Sequence, residues 1–153
     1  MGVRVRIPPR LLVNGCTLRI TGLVSLIKET IMKYPVATDK DKVGEYSSLT
    51  KSGGGLFYDD VLEYRVWCHP DSGDDDYTAF ETYEDALQFS RSRPHTAEEP
   101  LALVKQLEWI NNPKEGVFQH HTGERITEWR TEWLEENKRT EDSISDFLTE
   151  NAA

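Results

Sequence analysis

Residues 62–92 read LEYRVWCHPDSGDDDYTAFETYEDALQFSRS: an alternating strand, an acidic turn, a short second strand and a capped helix in unbroken succession. Leu62, Tyr64, Val66 and Cys68 fall on one face of the strand and Glu63, Arg65, Trp67 and His69 on the other, because successive strand side chains point to opposite sides. The first set has the composition of a core. Pro70 cannot donate to a ladder and ends the strand, Asp71 to Asp76 with Gly73 make a solvated turn, and Tyr77 to Phe80 returns as the second strand of a hairpin. Thr82 is placed to cap a helix, with Glu84 and Asp85 set favourably at the positive end of its dipole. Tyr83, Ala86, Leu87 and Ser90 form a stripe that packs on the sheet, and Arg91, Arg93 and Pro94 close the helix.

A second unit of the same kind follows. Leu101 to Ile110 reads as a long strand, Asn111-Asn112-Pro113 with Gly116 as a turn, and Val117 to His121 as the returning strand. Thr122-Gly123 breaks that strand, after which Thr127 caps a helix carrying Trp129, Trp133 and Leu134. Two strand–strand–helix units predict an α+β domain: a four-stranded, largely antiparallel sheet with two helices on one face. Thr140 to Glu150 adds a short C-terminal helix with Ile144, Phe147 and Leu148 at helical spacing.

The length of 153 residues suits one domain with a single core, and 37% hydrophobic with 29% charged residues is ordinary for a globular chain. The net charge of −9 is uneven: residues 1–31 carry +4, so residues 32–153 hold −13. An acidic body repels phosphate backbones, which argues against a nucleic-acid partner. No apolar run approaches the length of a membrane-spanning helix, and Cys16 and Cys68 make no disulfide framework. A cytoplasmic protein, monomeric or homodimeric through an unpaired sheet edge, is the expectation.

The basic segment 1–31 admits three readings. A secretory signal fits poorly, because Asn14, Gly15, Arg19 and Gly22 interrupt the apolar stretch. An amphipathic helix over Leu23 to Ile31 has Leu23, Leu26 and Ile27 at helical spacing. The third reading is preferred: Val5-Arg6-Ile7-Pro8 matches the translation of a transfer-RNA gene's T-arm, so residues 1–31 are a non-native extension and Met32 is the true start. Residues 32–61 then form an irregular lead-in, ahead of the α+β domain at 62–150. Within it Ser52-Gly53-Gly54-Gly55 reads as a loop, because Lys51-Ser52 precedes the glycines and no G-x-x-x-x-G-K-[ST] phosphate loop can be drawn.

Cys68-His69 and His120-His121 each end a strand, which raises a metal or Cys/His site if those ends meet; adjacent strand residues face opposite ways, however, and no metal is expected. The acidic turn lacks the D-x-[DN]-x-[DN]-G spacing of a calcium loop. The candidate ligand-binding set is Arg65, Trp67 and His69, since a strand that alternates core residues with Arg, Trp and His is not dressed for open water. Either the second helix covers that face, or it lines a groove for an anionic or planar ligand.

The segments MKYPVATDKDKVGEYSSLTKSGGG, LEYRVWCHP, TYEDALQFS and ERITEWRTEWL resemble a family of short bacterial proteins, some of which carry the label GCN5-family acetyltransferase. The similarity covers about 32–150. It implies an acyl-CoA-dependent N-acetyltransferase with acetyl-CoA as cosubstrate; Tyr64, Cys68 and His69 are the side chains of this chain whose own chemistry would suit an acid or nucleophile. The Q/R-x-x-G-x-G/A turn on which that superfamily cradles pyrophosphate does not occur in this chain, so no catalytic residue is carried over. A small binding or interaction module without a cofactor is the first reading and the acyltransferase the alternative.

Overall fold

The alternating segment is a strand in the computed structural model, which describes residues 33–152. The readings of segment 1–31 therefore fall outside the described residues. In chain order the elements are β1 (Lys51–Ser52), β2 (Asp60–Cys68), β3 (Asp76–Phe80), α1 (Tyr83–Arg91), β4 (Leu101–Lys114), β5 (Val117–Arg130) and α2 (Ser143–Glu150), with single 3-10 turns at Lys40–Lys42 and Thr131–Leu134. Four antiparallel strands in the order β5-β4-β2-β3 make the sheet, and β1 adds two residues in parallel to the outer side of β5. The class is α+β.

The core lies on one face of this sheet. Tyr64 pairs with Ala102 and Ala102 with Trp129 across three strands, and these three, with Val61, Val66, Val104 and Ala86 of α1, belong to one buried cluster. Thr82 caps α1 as read: its side chain accepts from the Asp85 N–H at 3.2 Å. Ala86 and Ser90 are the buried positions of that helix, and Tyr83 packs edge-on against Tyr34 and Tyr64. Burial of the large apolar side chains of this core, at about 1.5–3 kcal/mol each, supplies the main driving force. A register shift between Val61 and Glu63 puts Val61 into the core cluster at the position that strict alternation assigns to Leu62.

The second unit departs from its reading. β4 and β5 are each 14 residues long and run together as one hairpin, so the helix expected from Thr127 is absent and Thr127 and Trp129 are strand residues. Thr122-Gly123 does not end the strand; the register slips between Gln106 and Glu108, a bulge that absorbs the glycine. Pro113 sits in a second irregularity, between Asn111 and Lys114, where no ladder donor is needed. The turn is Glu115-Gly116, with Gly116 at φ +77°, a left-handed conformation that glycine adopts without strain. Trp133 and Leu134 fall in the 3-10 turn Thr131–Leu134, of which Leu134 is buried.

Candidate functional site

Arg65 projects from β2 onto the face opposite the core, as alternation requires, and is fully buried there. The expected second helix does not cover it. The irregular segment 44–50 does: Gly44 N–H donates to Glu63 Oε2 at 2.6 Å, Arg65 Nη2 donates to Ser47 O at 2.7 Å, and the Tyr77 hydroxyl donates to Tyr46 O at 2.9 Å. Arg65 Nε binds Glu63 Oε1 at 2.7 Å and its Nη1 binds Glu128 Oε1 at 2.8 Å, while the guanidinium lies 4.3 Å over the Tyr77 ring. Burial pushes the Arg65 pKa down, and the hydrogen bonds to Glu63 and Glu128 more than offset it, so the net direction is upward. Trp67 Nε1 donates to the same Glu128 Oε1 at 3.2 Å.

His69 lies apart from this cluster. It is exposed and bridges two acids, Nδ1 to Asp75 Oδ1 at 2.9 Å and Nε2 to Glu98 Oε1 at 2.7 Å. Arg65, Trp67 and His69 thus do not converge on a common opening: the first is enclosed and the last pins the acidic turn to the irregular segment that leads into β4. Tyr64 donates its hydroxyl to Pro35 O, and burial pushes its pKa upward. Cys68 is buried. Cys68 stands beyond the Leu101 end of β4, whereas His120 and His121 pair with Ile110 and Trp109 towards its other end, so the two pairs do not meet. Among the described residues no cluster of His, Cys, Asp or Glu could hold a metal ion, and no helix is long and apolar enough to cross a membrane.

Another arginine does face an opening. Because β5 remains a strand, Arg125, Thr127 and Trp129 alternate onto the core face, and Arg125 continues that face past the end of the apolar cluster. Buried Gln106, opposite Arg125, organises the transition. Its Oε1 accepts from Arg125 Nε at 2.7 Å and Thr127 Oγ1 at 3.2 Å, and its amide donates to Gly54 O at 3.0 Å and Phe57 O at 2.8 Å, which uses all four of its hydrogen-bonding positions. Arg125 Nη2 donates to Gly54 O at 3.1 Å, and the guanidinium lies 4.1 Å from the centre of the Trp109 ring, itself stacked on His121.

Gly55 holds the loop against this group. It adopts φ +103°, and a Cβ there would lie 2.6 Å from Gln106 Nε2, 2.7 Å from Arg125 Nη2 and 2.9 Å from Trp109 Cβ. The glycine loop therefore packs directly against the side chains that hold Arg125. Arg125 and Trp109, with Tyr46, Leu49, Thr50 and Ile126, line a cavity of about 530 Å³, and Leu49 stands 93% exposed at its rim. Arg125 Nη1 has no acceptor and no carboxylate lies within ion-pair distance among the described residues. Burial alone shifts its pKa, and downward.

The reading of β5 as strand-break-helix hid Arg125. Two features of the sequence point to a strand instead: Glu124, Ile126, Glu128 and Arg130 alternate with Arg125, Thr127 and Trp129, and the residue three beyond Thr127 is Arg130, where a capping box needs Glu or Gln. Comparison of the chain with protein-family models, with curated proteins and with solved structures returned no match in any of the three.

Proposed function

We propose that this protein is a small binding module whose ligand is a planar anion, held by the free edge of Arg125 in the cavity beside Trp109. One observation carries the reading: a partly buried guanidinium, fixed in place by Gln106, Gly54 and Trp109, has no acceptor at Nη1 and no paired carboxylate among the described residues, at the wall of an apolar-rimmed cavity. By contrast Arg65 and Arg139, the arginines with described ion pairs, are each matched by two carboxylates. A carboxylate or phosphate oxygen at Nη1 would supply the missing charge, and Tyr46, Leu49 and Ile126 would shield the flat apolar remainder.

Benzoate, a planar monoanion, is the first probe. Titration followed by tryptophan fluorescence is expected to give saturable binding with a Kd on the order of millimolar, and Arg125→Gln abolishes it while leaving the fold intact. Equal benzoate affinity in wild type and Arg125→Gln would sink the reading. Free CoA and acetyl-CoA, which are larger anions with a planar base, extend the panel: competition with benzoate places them at Arg125, and acetyl transfer to an amine acceptor would favour the acyltransferase instead.

A further inference from the structure

We propose that Arg65 and Tyr77 are positioning residues for the Arg125 cavity: from behind, they hold segment 44–50 as the wall that makes the site prefer an anion with a flat ring to a small one. The inference rests on the reading of Arg125 as an anion site and deepens it by assigning what sets that site's selectivity. Tyr46, Ser47, Leu49 and Thr50 of the segment line the cavity, whereas Arg65 and Tyr77 do not. Three of these four wall residues are nevertheless tied to one or the other. The Tyr77 hydroxyl donates to Tyr46 O at 2.9 Å, Arg65 Nη2 donates to Ser47 O at 2.7 Å, and Arg65 Nη1 donates to Thr50 Oγ1 at 3.4 Å. The tethers take two main-chain carbonyls and one hydroxyl, so the ring of Tyr46 and the side chain of Leu49 remain for a ligand. Leu49 N–H donates to Ser47 Oγ at 3.1 Å, so the place of Leu49 depends on Ser47 as well. Its side chain is 93% exposed, and a ring laid against it would cover apolar surface that now meets water.

The segment needs such support. Among the described residues no helix or strand lies between Val43 and Thr50, so no ladder of its own holds this wall in place. Arg65 suits the task because it is itself fixed: it is fully buried, paired with Glu63 and Glu128, and set 4.3 Å over the Tyr77 ring. Glu128 stands on β5 three residues beyond Arg125, and its backbone pairs with Ser52 of β1. A short path from β5 through Glu128 and Arg65 to Ser47 and Thr50 therefore sets the wall relative to the strand that carries Arg125. Hydrogen bonds from a buried guanidinium are short and directional, which gives the wall a defined position before any ligand arrives.

The full chain is titrated with benzoate and with acetate, which carries the same carboxylate without the ring. The readout is the ratio of the two affinities, because a general loss of structure lowers both. Arg65→Lys keeps a cation between Glu63 and Glu128 but loses the fork that reaches Ser47 O and Thr50 Oγ1 together. Tyr77→Phe keeps the ring under the guanidinium and removes only the donor to Tyr46 O. Each should lower the benzoate-to-acetate ratio roughly two- to tenfold, since a loosened wall must be ordered again when the ring binds. Should Arg65→Lys fail to fold, Tyr77→Phe decides the matter by itself. In protein labelled with nitrogen-15, the amide signals of residues 44–50 should move further with benzoate than with acetate. An unchanged ratio in the folded variants, or segment amides that respond no more to benzoate than to acetate, would overturn the positioning role, and the anion site would stand if Arg125→Gln still abolishes benzoate binding. Equal benzoate affinity in wild type and Arg125→Gln would instead remove the anion site and this inference with it.

Discussion

Replacing Arg65 by methionine removes the charge at the centre of the closed face while keeping most of the volume. The substitution strands two carboxylates: Glu63, whose side chain is wholly buried, and Glu128, whose side chain is 13% exposed. It also deletes the donors to Ser47 O and Thr50 Oγ1 and the cation over Tyr77. Removing one partner of a buried ion pair costs about 3–5 kcal/mol, because the remaining charge is left desolvated. A domain of this size is stable by about 5–15 kcal/mol, so the loss is a large fraction of the total. In urea, with m of about 1–3 kcal/mol/M, the midpoint should fall by roughly 2 M. Because Ser47 and Gly44 are tied to the same cluster, amide exchange of residues 44–50 should accelerate before that of β4. Adding Glu63→Gln removes one stranded charge, so Glu63→Gln/Arg65→Met should be more stable than Arg65→Met alone. A loss below about 1 kcal/mol, or a double variant less stable than the single, would refute the view that these charges are buried and mutually dependent.

Two further outcomes follow from the site geometry. Hydrogen bonds to Asp75 and then Glu98 raise the His69 pKa; stability from this bridge is complete below about pH 6.5, the ordinary histidine value, and is lost as pH rises through the raised folded-state value. Thermal melts across pH 5 to 9 should therefore show a slope in wild type that His69→Gln flattens, and identical slopes would discount the bridge. Gly55→Ala forces a Cβ against Gln106, Arg125 and Trp109 in a left-handed conformation. It should cost about 1–3 kcal/mol and weaken benzoate binding as Arg125 is displaced, both readable from one titration series; unchanged stability and affinity would show that the loop does not press on the site.

The hairpin and helix of 62–92 were legible because each signal there was local: Thr82 caps its own helix, Pro70 ends its own strand, and alternation separates Tyr64 and Val66 from Glu63 and Arg65. What covers Arg65 was not legible, for a different reason. An arginine on a strand face looks the same in sequence whether ligand or protein meets it. Here Glu63, Glu128 and the carbonyl of Ser47 meet it, and the last two come from chain distant in sequence. The same chemistry, an arginine beside a tryptophan, is found open to a cavity at Arg125 and Trp109.

The sequence by itself determined the α+β class, the β2–β3 hairpin, the capped α1 and the short terminal helix, because hydrophobic period, caps and turn residues act over a few positions. At Thr127 and Trp129 the local signals conflict, alternation against a possible cap, and the tertiary structure decided for the strand. Pairing along 14 residues of β4 outweighs a weak capping signal, and that pairing energy is non-local. It also decided which arginine is enclosed and which is left facing a cavity. That depends on where segments 44–50 and 53–55 cross the sheet, and Gly55 can cross so closely above Arg125 only because it carries no side chain.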